Sequence, residues 1–161
     1  MKKKVAAIVS IVLIAFVISV YIWMSFSYAS FTYPINRSIR YIEASVSSNE
    51  VQKANYHLDN VKELVKVFST EALKPKVSGT RLITLAKELN TEESFAGIHM
   101  DLAKRLGKNI KPQAHDLCES LEEQQRILNT LVMNAPLAIQ SQLKKELATT
   151  NIAAVRAMQW E

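Results

Sequence analysis

The chain has 161 residues, 48% of them hydrophobic and 22% charged, with 3 glycines, 4 prolines and 1 cysteine, which suits one domain of ordinary size plus an appendage. A lone cysteine excludes an internal disulfide framework, and scarce glycine and proline beside abundant apolar residues exclude collagen and a disordered chain. The formal charge of +5 belongs to Lys2, Lys3, Lys4, Arg37 and Arg40, since basic and acidic residues balance from Tyr41 onward; a clustered surface for neutralising nucleic-acid phosphates is therefore not expected.

From Val5 to Met24 the polar interruptions are Ser10 and Ser19, with Tyr21 and Trp23 at the far end, and no charge appears until Arg37. About 20 residues of helix span about 30 Å, the hydrocarbon thickness of a bilayer. About a dozen Val, Ile, Leu and Phe side chains favour insertion by roughly 4 to 7 kcal/mol in total. Residues 1–33 are thus expected to be a basic tail and a membrane-spanning signal-anchor helix, and residues 34–161 the body. The apolar stretch is longer than the roughly 7 to 15 residues of a signal peptide, although Ser27-Tyr28-Ala29 would suit cleavage near Ala29. Lys2, Lys3 and Lys4 outweigh the diluted Arg37, Arg40 and Lys53, which predicts a single-pass protein of the cell membrane with a cytoplasmic N-terminus and the body outside. Ala6 with Ser10 and Ala15 with Ser19 have the small-x-x-x-small spacing of paired membrane helices, a weak signal.

After Pro34, the four-three-four steps of Ile35, Ile39, Ile42 and Val46 predict a membrane-proximal amphipathic extension over 34–46. Ser47 and Glu50 have capping-box spacing. Val51, Ala54, Leu58, Val61, Val65, Phe68 and Ala72 then alternate by three and four, the strongest helical signal in the chain and an expected core seam. Lys74 to Gly79 reads as a connector. Leu82, Leu85, Ala86 and Leu89 predict a short helix ending near Asn90, with Thr91 capping the next and Glu92 and Glu93 as its first-turn acids. Phe95, Ile98, Leu102 and Leu106 carry that helix to Gly107, an expected C-cap. Pro112 and Pro136 suit helix starts. Ala114, Leu117, Leu121, Leu128, Leu131 and Val132 mark one helix, and Leu137, Leu143, Leu147, Ile152, Val155 and Met158 the last. No alternating β-branched run appears in the body, so the expected fold is all-α: one N-terminal transmembrane helix followed by an antiparallel bundle of four to five helices.

The candidates for chemistry are His57, His99, His115 and Cys118. His115 and Cys118 lie three apart on a helix, but zinc needs two more ligands, and neither C-x-x-C nor H-E-x-x-H occurs. His99 shares a stripe with Phe95, Leu102 and Leu106 and reads as a core histidine, and Cys118 as a small buried hydrophobe. Di-iron, haem-attachment, phosphate-loop and nucleophile-elbow patterns are absent. No catalytic, cofactor-binding or metal-binding residue is therefore expected, and no enzyme. Asp116, Glu119, Glu122 and Glu123 follow the basic run Lys104, Arg105, Lys108 and Lys111, a solvated surface or a docking face. Asn36-Arg37-Ser38 matches a glycosylation pattern by chance so close to the membrane.

Basic tail, membrane helix and helical bundle in this order resemble the front half of a chemoreceptor-type sensor, but without its second membrane helix or signalling region, and no family is assigned. The expected function is that of an accessory or scaffold subunit that binds other proteins of a membrane complex, its partners being the lipid bilayer and a protein or a second copy, with no nucleic acid and no small-molecule ligand. The alternatives are an extracytoplasmic ligand-binding or sensory bundle, and a secreted helical protein.

Overall fold

A computed structural model describes residues 35–74 and 78–160. The membrane segment expected over 5–24 lies outside the described residues, as do Pro34 and Pro75; no helix among the described residues is long and apolar enough to cross a membrane. Arg37–Glu161 forms one compact unit. The described residues fold into helices alone: α1 (35–46), α2 (Glu50–Ala72), α3 (Gly79–Arg105), α4 (Lys111–Asn134) and α5 (Leu137–Met158).

The caps follow local chemistry. Asn49, rather than Ser47, caps α2, its side chain accepting from the Val51 amide, while the Ser47 hydroxyl accepts from the Asn49 amide one step earlier. Pro112 occupies the first turn of α4 and Pro136 immediately precedes α5, where a missing N–H costs no helical bond. Gly107 closes α3 at φ 72°, and the bonds Lys108 N–H to Ala103 and Gly107 N–H to Lys104 satisfy the last carbonyls.

Helices α2 to α5 form a bundle in the cyclic order α2, α3, α5, α4, so that α3 and α4, though consecutive, lie across the diagonal. The α2 seam is buried from Ala54 to Phe68, with Leu58, Val61 and Leu64 almost wholly inside. α1 folds back along α2 and lies over α2 and α3 through Arg37, Arg40 and Tyr41.

Two expectations change. The run from Leu82 onward belongs to one helix, the 27 residues of Gly79–Arg105 with Leu106 as C-cap, with no break at Asn90. Its inward seam is Leu82, Ala86, Leu89, Glu93, Ala96, Met100 and Ala103, an unbroken four-three alternation in which a glutamate holds one position. Phe95, Ile98, Leu102 and Leu106 instead point outward and are 38% to 66% exposed. α5 behaves the same way: Leu143, Glu146, Thr150, Ala154 and Ala157 face inward, whereas Leu137, Ile152, Val155 and Met158 are exposed. The reason is steric. Small residues let neighbouring structure come close, as where the Trp160 indole lies on Gly97 so tightly that an added Cβ would stand 3.0 Å from it. At the other end Ile139 of α5 lies where a Cβ on Gly79 would meet it at 2.7 Å.

Candidate functional site

Successive glutamates in the middle of α3 are buried in different directions. Glu92 is 0% exposed and Glu93 is 3% exposed. They are neither first-turn acids nor solvated, and the environments they meet are opposite.

Glu92 turns toward α1 and α2. Its Oε1 accepts from Arg37 Nε at 3.0 Å and from the Tyr41 hydroxyl at 2.9 Å, and its Oε2 accepts from His57 Nδ1 at 2.8 Å and Asn60 Nδ2 at 3.3 Å. Burial alone would push this carboxyl up, but the bonds from His57, Tyr41 and Asn60 and the charge of Arg37 outweigh it and hold it below the usual carboxylate range. Arg40 extends the network to Asn60 Oδ1 at 3.1 Å and Glu63 at 2.9 Å. Tyr41 meets the His57 ring edge-on, and His57 stacks on both Phe95 and His99. His99 in turn pairs with Glu50 at 2.6 Å; that bond, followed by the one from Lys53, keeps Glu50 below its ordinary range. The two histidine rings are 5.5 Å apart and nearly parallel, at 6°, and each is held by its own glutamate. This is a structural clamp: it fixes α1 to the bundle and fills every acceptor of Glu92 with a donor.

Glu93 turns toward α5. Neither of its carboxyl oxygens has a hydrogen-bond partner among the described residues, and burial pushes it up to about 8, so at neutral pH it is mostly a neutral acid. It contributes to the lining of a cavity of about 160 Å³ between α3 and α5, beside Gly97, Leu117, Ile152, Ala153 and Trp160. Asn90, also on its wall, is fully engaged: it donates to Glu146 at 2.8 Å and accepts from Thr150 and Gln124. Arg156 stands at the rim with its guanidinium over the Trp160 ring and pairs with Asp101, to which the indole N–H also donates at 3.0 Å.

Of the residues singled out in the sequence, His57 and His99 are brought together, with their rings stacked. His115 lies exposed beside Glu119, whereas Cys118 is buried in the core cluster. Asp116 pairs with Lys62 of α2, and Glu123 with Arg126 of its own helix. No three His, Cys, Asp or Glu side chains among the described residues could hold a metal ion. Glu92 and Glu93 escape a reading of the sequence because the polar run Asn90 to Glu93 resembles a helix start. The signal that could have found them is the phase of Glu93, four after Leu89 and three before Ala96.

No family model matches the chain, and neither a curated protein nor a solved structure matches it.

Proposed function

We propose that this is a single-pass, membrane-anchored helical protein with its N-terminus in the cytoplasm and its body outside, which binds another protein of a membrane complex in a non-catalytic role. The supporting observation is the inverted packing of α1. Arg37, Arg40 and Tyr41 turn toward the bundle, while Ile39, Ile42 and Val46 point away from it, between 49% and 78% exposed. Scattered exposed apolar residues are ordinary, but three in one row of a short helix form a seam that lacks its other half. Phe95, Ile98 and Leu102 of α3 add further exposed apolar surface. The apolar stretch from Val5 to Met24 supports the anchor.

The test is to replace Ile39 and Ile42 by lysine in the full chain. The expected result is an unchanged circular-dichroism melt with loss of the protein captured from native membranes, or loss of self-association if that partner is a second copy. Retention of both capture and oligomeric state in the variant would refute the docking face. The ligand-binding alternative draws on a different observation, the cavity beside Glu93.

A further inference from the structure

We propose that the cavity between α3 and α5 is a binding site for a small primary ammonium compound carrying one apolar body about the size of a benzene ring, with Glu93 as its counter-ion. The inference is independent of the docking face, which lies on other residues.

The chemistry is dictated by what lines the space. Glu93 is a buried acid without a partner, and isolated buried carboxyls are costly unless something satisfies them. The charged groups nearest the cavity leave it unmatched. Arg156 of α5 is taken by Asp101, Glu146 of α5 is held by Asn90, α4 contributes the neutral Leu117, and α2 directs His57 and Asn60 to Glu92. An anion would find no free cation here and a carboxylate already in place. An ammonium group would supply the donors that Glu93 lacks, as a charge-assisted pair.

The remaining walls select the body of the ligand. Leu117, Ile152 and Ala153 are aliphatic, and the Trp160 indole, its edge on Gly97 and Arg156 over its ring, completes an apolar wall. The volume of about 160 Å³ is close to that of an engineered apolar cavity of about 150 Å³ that admits benzene. A benzylamine-sized molecule matches such a space.

Binding carries a defined proton balance. The acid is protonated in the empty site at neutral pH and must be ionised opposite the ammonium, so the complex forms with release of one proton below about pH 8. Apparent affinity should therefore rise about tenfold per pH unit from about pH 6 toward that value.

The test uses the full chain in detergent with Trp23→Phe, so that Trp160 alone reports by fluorescence. Benzylamine is titrated against benzyl alcohol, a neutral molecule of nearly the same shape. The expected result is a saturable response with benzylamine at least about tenfold tighter, equivalent to about 1.4 kcal/mol, with the stated rise in affinity toward alkaline pH. Glu93→Gln should abolish the preference for the amine, and Thr149→Phe, an exposed change at the mouth, should abolish both responses. Equal binding of amine and alcohol, a flat pH profile, an unaltered Glu93→Gln variant or no saturable response would each overturn the proposal. Should Glu93→Gln fail to fold, the pH slope and Thr149→Phe decide it. Loss of partner capture in the Ile39 and Ile42 variant with amine binding intact would keep the two readings distinct.

Discussion

Glu92 and Glu93 are neighbours of one residue type, yet their contributions to stability have opposite pH dependence. Glu93 gives up its proton near the usual carboxylate value when unfolded but only at about 8 when folded. Between those values the native state holds a proton that the unfolded state has lost, so stability falls as pH rises, and the effect is absent under acid conditions. Glu93→Gln should therefore melt several degrees above the wild type at pH 8, with the gap closing toward pH 4; a constant gap would show that ionisation is not the cause. Glu92 is held below its ordinary value, so its contribution is complete at neutral pH and is lost as pH falls through the folded value. Glu92→Ala strands the donors of His57, Tyr41 and Asn60 and should cost on the order of 3 kcal/mol at pH 7 and progressively less as pH falls, by denaturant titration across that range.

At the level of the helix, two apolar rows read from the sequence have different fates. The α2 row is core: Leu58 is 2% exposed, and Leu58→Asp would bury a charge with no partner, costing several kcal/mol out of a typical total of about 5 to 15. The α1 row is surface: Ile42 is 64% exposed, and Ile42→Asp should shift stability by no more than about 0.5 kcal/mol. Paired melts of the two variants check both statements at once. Periodicity finds the helix in either case, because it reports only that apolar side chains share a face. What covers that face is a matter of the partner element. α1 reaches the bundle by charge-assisted bonds on its other side, between residues 51 and 55 positions apart for Tyr41 and Arg37 with Glu92.

For the whole molecule, α1 is attached to the bundle chiefly by polar bonds, with Ala44 as its buried apolar contact. The other four helices are joined through shared apolar seams. Removing Arg37 and Arg40 together, as alanines, should lower hydrogen-exchange protection over 37–46 at least about tenfold while leaving the amides at the centres of α3 and α4 protected. Equal loss of protection throughout would mean that α1 is part of a single cooperative core. The all-α class, the α2 seam, the extent of α4, the prolines at the starts of α4 and α5 and the glycine ending α3 were determined by the sequence by itself, because each depends on interactions within a few residues of chain. Which faces of α1, α3 and α5 turn inward was decided only by the tertiary structure. Ala96, Ala103, Ala154 and Ala157 are inconspicuous in a hydrophobic pattern, but their small size lets helices approach closely enough to exclude the larger residues beside them. The fate of the acidic pair was also decided between elements: Glu93 was buried without a partner on the wall of the cavity that α3 forms with α5, while donors from α1 and α2, distant in sequence, converged on Glu92.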